Sequence, residues 1–405
     1  MLALTESTAQ RLERALADIC TVLLGDETAT NPPGFIGGRA GHLLCAWQLH
    51  RHDSSLVDES RFSHALESLQ GDSQALMNDP TFSYGISGVA WLFEYLLAEQ
   101  DDAYSPAFNR GVDRVLSRCL DIPRWRGEIE FIKGISGIAA YAARRRRNVE
   151  GSDVYCKIVS HLEQLAEWRD DGLCTWATPK GSVFRMGSDP SAREYNLGLA
   201  HGMPAVLAAL IPGLAFPETR ESATSLVSAG CRWLLLQAQD AEEYGSHFPY
   251  VADKPGHSRL GWCYGDAAIA LTIARAGAAL ADAELIDAAR RIALHAANRN
   301  SKTGLVRDAG LCHGSAGLYL IFRLLYAQLG DSELLHAADN WLQETLSRHE
   351  ADGLHGFDAY RNDAETGKSY YRATHDALSG YASVGLCLAV AAGKPADWVD
   401  AYLMG

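Results

Sequence analysis

The chain has 405 residues, of which 47% are hydrophobic and 21% charged, the ordinary balance of a soluble globular protein. Acidic side chains outnumber basic ones by 50 to 36, giving a net charge of −14, which argues against nucleic acid as a partner because proteins that bind it carry a basic face. Nine cysteines without regular spacing are typical of a reducing compartment rather than of a disulfide framework.

No part of the sequence resembles a targeting or membrane segment. The first residues, MLALTESTAQRLERALADI, predict an amphipathic helix and not a signal peptide. No stretch approaches 18 uncharged apolar residues, so we expect no membrane span. The sequence therefore predicts a cytoplasmic protein, which could associate peripherally with a membrane only through its partners.

One unit recurs along the chain: a glycine, two residues, a second small residue and then an apolar helix. It begins as GFIGGRAGHLLCAWQL and returns six times, for example as SYGISGVAWLFEYLL and LCHGSAGLYLIF. Successive copies lie between 47 and 68 residues apart, which defines seven repeats. The first glycines of the copies are Gly38, Gly85, Gly134, Gly202, Gly265, Gly314 and Gly380.

The segments between the glycine motifs have a different pattern. DSELLHAADNWLQETLSRH places its apolar residues on one stripe, as an amphipathic surface helix does, whereas GLYLIFRLLYAQLG is apolar on nearly all sides. Each repeat is therefore predicted to be an outer helix followed by a buried inner helix, with the glycines at the inner-helix N-termini. Seven such hairpins can close into an all-α fold, an α/α toroid or barrel, which we expect to form one domain over residues 1–405.

One segment, at about residues 168–196, interrupts the helical pattern. It reads WRDDGLCTWATPKGSVFRMGSDPSAREYN and is rich in Gly, Pro, Ser and Thr, with short β-like runs. We interpret it as a small loop or β insertion within the domain.

The residues just before the first glycines carry the candidate chemistry. In a closed ring these positions lie on one rim and point toward the axis. Repeat four places His201 there, repeat five Cys263, and repeat six Cys312 and His313. Two thiolates and one imidazole suit Zn²⁺, and three protein ligands leave one position open, as in catalytic zinc sites. The alternative for each cysteine alone is a small buried hydrophobic residue.

Three further residues are expected near this zinc site. His201 has the repeat position of His313, and its imidazole suits a general acid or base; the alternative is a core histidine. Arg259, four residues before Cys263, either directs a cation toward the site or forms a surface salt bridge. Tyr264 either donates a hydrogen bond or a proton, or packs in the core.

The motifs RLGWCYG, LCHGSAG and NLGLAHGMPA together resemble those of the lanthionine synthetase C-like family, and the resemblance covers essentially the whole chain. It implies an α/α toroid of seven hairpins and a zinc ion held by Cys263, Cys312 and His313. It also implies that His201, Arg259 and Tyr264 are active-site residues. The family usually has an aspartate four residues before the first glycine of the third repeat; here Glu130 occupies that place, with an expected role of orienting His201 or holding a proton.

The resemblance implies a zinc-dependent lanthipeptide cyclase, which adds cysteine thiols of a dehydrated precursor peptide to dehydroalanine or dehydrobutyrine. The products are lanthionine or methyllanthionine thioether rings. The length leaves no room for an attached dehydratase, so a separate dehydratase and an exporter are the expected partners. The alternatives are an enzyme that adds glutathione to dehydroamino acids in proteins, favoured less because of the 168–196 insertion, and a non-catalytic zinc-stabilised scaffold that binds peptides.

Overall fold

The computed structural model describes residues 5–99, 105–145, 149–180, 189–363 and 366–405, and these residues are mainly helical. The helices are α1 Glu6–Leu23, α2 Asp26–Ala29, α3 Arg39–His52, α4 Glu59–Asp72, α5 Ile86–Ala98, α6 Arg110–Leu120, α7 Ile135–Arg145, α8 Val149–Leu165, α9 Met203–Leu210, α10 Arg220–Leu235, α11 Ala241–Tyr244, α12 Asp266–Leu280, α13 Ala283–Ala297, α14 Ser315–Leu329, α15 Ser332–Asp352 and α16 Tyr381–Ala391. Short 3-10 segments cover Ser54–Leu56, Ser73–Leu76, Ile211–Ala215, Gly353–Phe357 and Val399–Tyr402. No helix of the described residues combines the length and hydropathy that crossing a membrane requires.

The expected alternation of outer and inner helices is confirmed. In the inner helix α12, every residue from 266 to 277 is buried, and in α5 every residue from 86 to 96 is buried. The outer helix α6 buries only Asp113, Leu116 and Leu120, which lie on one stripe. The stripe predicted for the last outer helix, α15, is buried as well, from Leu334 to Leu346. Outer and inner helices alternate as the pairs α1–α3, α4–α5, α6–α7, α8–α9, α10–α12, α13–α14 and α15–α16.

Each inner helix begins at the residue after the first glycine of a repeat, as predicted. At α3, α5, α7, α9, α14 and α16 the reason is a tight backbone loop, in which the first helical N–H donates to the carbonyl of the residue six places before the glycine. Met203 N, for example, donates to Asn196 O at 3.1 Å. A Cβ at Gly202 would lie 2.1 Å from that carbonyl oxygen, a contact no side chain tolerates. Gly265 is required by its conformation, since its φ of 106° is one that L-residues rarely adopt.

The described chain divides into two compact units, neither continuous in sequence. Unit one comprises Met1–Ala75, Leu260–Trp262 and Ala297–Ala396. Within it, α16 packs against α1, α3 and α14, and α14 packs against α15. Unit two comprises Leu76–Arg259, Cys263–Ala296 and Asp397–Gly405. Within it, α7 packs against α5, α8 and α9, and α12 packs against α9 and α10. The expectation of one domain over residues 1–405 stays a prediction.

The described residues form six short strands in three antiparallel pairs. The β1–β2 and β3–β4 pairs lie in and around the expected insertion, whose residues 181–188 are outside the described part of the chain. The β5–β6 pair lies in unit one, with Tyr360 opposite Tyr371. The strands are β1 Glu167–Trp168, β2 Cys174–Thr175, β3 Thr178–Lys180, β4 Asp189–Glu194, β5 Ala359–Asn362 and β6 Ser369–Arg372.

Candidate metal centre

The two cysteine motifs occupy equivalent places before two inner helices. Cys263 lies two residues before Gly265, which precedes α12, and Cys312 lies two residues before Gly314, which precedes α14. The N–H of Trp262 donates to the carbonyl of Cys312 at 2.8 Å, and the N–H of Cys312 donates to the carbonyl of Leu378 at 2.8 Å. Trp262, which directly precedes Cys263 in the chain, is thereby held beside Cys312.

Gly261 explains how this segment passes so close to the second motif. A Cβ at that position would lie 2.8 Å from the carbonyl oxygen of Cys312 and 3.0 Å from the Cα of His313. A side chain there would push the two backbones apart. Gly261, the first glycine in RLGWCYG, therefore allows the two motifs to lie close together.

Cys263, Cys312 and His313 bring their ligand atoms together. One ligand atom from each lies within 4.8 Å of the others, and these residues are the one metal-capable group found among the described residues. Both cysteines are buried, with 6% and 8% of their surface exposed. Zinc bonds of about 2.0 to 2.3 Å in a tetrahedron place ligand atoms somewhat under 4 Å apart, so this spacing and donor set fit Zn²⁺.

Asp308 supports the histidine of this group. Its Oδ2 lies 3.5 Å from Nε2 of His313 and accepts the backbone N–H of Tyr360 at 2.9 Å. Burial acts to raise the pKa of Asp308, but the contacts with His313 and with backbone N–H groups outweigh it and hold the pKa below its ordinary value. Asp308 is thus a carboxylate placed to fix the imidazole orientation, a common support for metal-binding histidines.

His201 lies in front of α9 and contacts a carboxylate. Its Nδ1 lies 3.1 Å from Oε2 of Glu130, whose two oxygens also accept the N–H groups of Ile132 and Lys133 at 2.9 and 2.5 Å. The Glu130 side chain is 10% exposed and that of His201 is 31% exposed. The structure therefore brings these two predicted residues together, with the imidazole accessible and the carboxylate fixed.

The backbone before His201 is joined to the first cysteine motif. The N–H of Ala200 donates to the carbonyl of Cys263 at 3.3 Å, and the N–H of Phe131 donates to the carbonyl of Ala200 at 3.2 Å. Both bonds lie within unit two. The motifs of repeats three, four and five are thus held side by side immediately before their inner helices α7, α9 and α12.

Tyr264 is buried beside the histidine. Its ring centroid lies 6.1 Å from that of His201, and its hydroxyl accepts the Nδ2 hydrogen bond of Asn196 at 2.9 Å. A Cβ at Gly198 would lie 2.6 Å from the tyrosine ring, so that glycine makes room for it. Burial raises the pKa of Tyr264 far above its ordinary value, which keeps the phenol protonated.

Arg259 is half-buried at the end of a segment of unit two. Its backbone N–H donates to the hydroxyl of Tyr250 at 3.1 Å, and the ring of Tyr250 packs edge-on against Tyr264 with centroids 5.0 Å apart. The backbone of Arg259 is therefore held near Tyr264. Its role as a cation at the site stays a prediction.

Sequence reasoning missed Asp308 and Asn196, although their position within the repeats could have identified both. Both lie six residues before the first glycine of their repeats, the position of Asp79 and Glu128 in two other repeats. Arg259 has the same position in the fifth repeat. Aligning the repeats would have shown that the position six residues before the first glycine supplies polar side chains next to the candidate site.

Comparisons with known proteins agree with this architecture. A family model described as "Lanthionine synthetase C-like protein" matches residues 30–390. Among the solved structures that match is one titled "Nisin cyclase", with a TM-score of 0.70 and 17% sequence identity, over 99% of this chain and 98% of that chain. No curated protein matches the sequence. At this identity the structural likeness shows the fold alone, and the predicted all-α toroid is confirmed.

Proposed function

Because the chain belongs to the lanthionine synthetase C-like family, we propose that it is a zinc-dependent lanthipeptide cyclase. It joins cysteine thiols of a dehydrated precursor peptide to dehydroalanine or dehydrobutyrine, forming lanthionine or methyllanthionine rings. One observation carries the proposal: the ligand atoms of Cys263, Cys312 and His313 lie within 4.8 Å of one another. These three residues would hold zinc and would leave a fourth position open to a substrate sulfur.

The residues of the site have different roles in the proposed reaction. Cys263, Cys312 and His313 would hold the zinc, and Asp308 would keep the His313 ring oriented. Zinc, when bound, supplies a Lewis acid that lowers the pKa of a substrate thiol from about 8.5 toward neutrality.

The bond changes define what the other residues must do. The substrate sulfur forms a bond to the β-carbon, and the π electrons of the carbon–carbon double bond move to the α-carbon and its carbonyl as an enolate. A proton must then reach the α-carbon, which balances the proton that the thiol lost. His201 is the proposed donor, and Glu130 holds its Nδ1 so that Nε2 can face the substrate.

Tyr264 and Arg259 have supporting roles in this proposal. Tyr264 stays a protonated phenol because burial raises its pKa, so it serves as a hydrogen-bond donor in this proposal. As a weak acid it ranks after His201 as a proton donor. Arg259 is the proposed cationic partner of the enolate oxygen. We further propose a cytoplasmic location, a separate dehydratase that supplies the substrate and an exporter that removes the product.

The test follows thiols by mass spectrometry. Purified protein is mixed with a peptide that contains one cysteine and one dehydroalanine, and a thiol-alkylating reagent is then added. We expect the peptide mass to stay unchanged, because ring formation consumes the thiol without adding or removing atoms. The control sample without protein should gain the mass of the alkyl group.

Two other outcomes would redirect the assignment. Full alkylation of the peptide, together with glutathione adducts when glutathione is supplied, would favour an enzyme that adds glutathione to dehydroamino acids in proteins. Full alkylation without adducts, with bound zinc present, would favour a non-catalytic zinc-stabilised scaffold.

A further inference from the structure

Unit two contains a cavity of about 490 Å³ that none of the roles above uses. This volume lies in the range of pockets that hold organic ligands. We name it the arginine pocket, and the side chains that define it are Arg124, Trp125, Arg126, Glu128, Ile129 and Arg193.

The charge of the pocket is opposite to that of the protein. Arg124 and Arg126 are exposed, and neither forms an ion pair with an acidic side chain among the described residues. Arg193 pairs with Glu167 at 3.2 Å. Among the described residues, Glu128 is the one carboxylate that lines the pocket. In a chain with a net charge of −14, these guanidinium groups form a local positive surface that attracts carboxylates.

The pocket also has a fixed apolar wall. Trp125 donates its Nε1 hydrogen bond to the carbonyl of Glu128 at 2.9 Å, and a Cβ at Gly127 would lie 2.7 Å from the tryptophan ring. Ile129 and Pro179 line the same cavity. A phosphate or nucleic acid would leave this apolar surface unused, whereas a peptide with both acidic and apolar side chains would cover both surfaces.

The pocket adjoins the histidine of the candidate site. Ile129 lines the cavity, and the next residue, Glu130, contacts His201 at 3.1 Å. Glu128 is also close to this carboxylate, since burial and then the charge of Glu130 raise the pKa of Glu128. A peptide held in the pocket would therefore have a more distant part of its chain within reach of His201.

We propose that the arginine pocket binds an acidic and apolar segment of the peptide substrate, which positions a more distant part of the same peptide at His201. The inference rests on the proposed function, because that function identifies a peptide as the substrate. It concerns the binding of that peptide, whereas the proposed function concerns thioether formation. Binding in the pocket should lower KM and leave the chemical step unchanged, because the pocket does not touch the reacting atoms.

The first test measures binding with two labelled peptides of equal length, one alternating Asp and Leu and the other alternating Asn and Leu. By fluorescence anisotropy at low ionic strength, we expect the wild-type protein to bind the Asp-Leu peptide at least about tenfold more tightly than the Asn-Leu peptide. The double variant Arg124→Glu and Arg126→Glu should lose this preference. The matched control carries Arg114→Glu and Arg118→Glu, the same charge change at exposed positions of α6, and should keep it.

The second test separates the pocket from the proposed chemistry. Each peptide is extended with a cysteine and a dehydroalanine, and ring formation is followed by loss of alkylation. The pocket variant should show a KM about tenfold higher for the Asp-Leu substrate, an unchanged kcat and an unchanged KM for the Asn-Leu substrate. If neither substrate is cyclised by the wild-type protein, the proposed function fails while the binding test still decides the pocket.

Two results would overturn the inference. One is equal affinity of the wild-type protein and the pocket variant for the Asp-Leu peptide. The other is equal weakening by the pocket variant and by the α6 control, which would show that net charge and not the pocket governs binding. Retained far-ultraviolet circular dichroism in both double variants excludes unfolding as the cause.

Discussion

Replacing Cys312 with alanine is expected to lower thioether formation by about three orders of magnitude or more and to remove the bound zinc. The variant keeps two of the three ligands, Cys263 and His313, which is too few for a stable site at this position. The fold should survive, because alanine retains the backbone bonds of Cys312 to Trp262 and Leu378. Zinc content by elemental analysis and the rate of alkylation loss are measured on the same preparation.

Cys231→Ala is the matched control for this substitution. Cys231 is fully buried in α10, and burial raises the pKa of its thiol to about 12, so it stays a neutral thiol. We expect this variant to keep both zinc and activity. Full zinc content in Cys312→Ala, or the same loss in both variants, would contradict the assignment of Cys312 as a ligand.

Replacing His201 with asparagine is expected to lower kcat by about two to four orders of magnitude, the usual range for loss of a general acid or base. Asparagine can still donate a hydrogen bond to Glu130, so the loop before α9 should keep its structure. Zinc content should equal that of the wild-type protein, because His201 is not among the three grouped ligands. Rate and zinc content together distinguish the loss of a proton donor from the loss of the metal.

His257→Asn is the control for the histidine substitution. His257 is exposed in unit two, and its Nδ1 lies 2.9 Å from the carbonyl of Tyr244. The His257→Asn variant should form thioether rings at a rate close to that of the wild-type protein. An unchanged rate in His201→Asn would show that the proton comes from another group, and Tyr264→Phe would then be the next variant to measure.

The sequence predicted the helices well because their signals are local. The glycine before α9 is required by a carbonyl only six residues away, so the same short motif recurs wherever an inner helix begins. The difference between α12, buried on all sides over residues 266–277, and α6, buried along one stripe, follows directly from the spacing of apolar residues. The repeat then gave the positions of Cys263 and Cys312.

The parts that sequence reasoning missed depend on contacts distant along the chain. Asn196 meets Tyr264, 68 residues later, and its sequence context resembles an ordinary turn. The arginine pocket joins the loop at Arg124 to Pro179 and Arg193 around two short strands, and no periodic pattern indicates which loops meet. Glu130 was found only through the family resemblance, and the structure adds the partner that gives it a role, His201.

X-ray absorption at the zinc K-edge shows directly whether Cys263, Cys312 and His313 hold a zinc ion that is open to a thiol. It is measured on the protein before and after addition of a short cysteine-containing peptide. We expect one zinc ion with two sulfur neighbours at about 2.3 Å and one imidazole nitrogen at about 2.0 to 2.1 Å. A third sulfur neighbour is expected once the peptide is added. Absence of bound zinc, or a sulfur count that the peptide leaves unchanged, would contradict a site formed by Cys263, Cys312 and His313 with one position open to substrate.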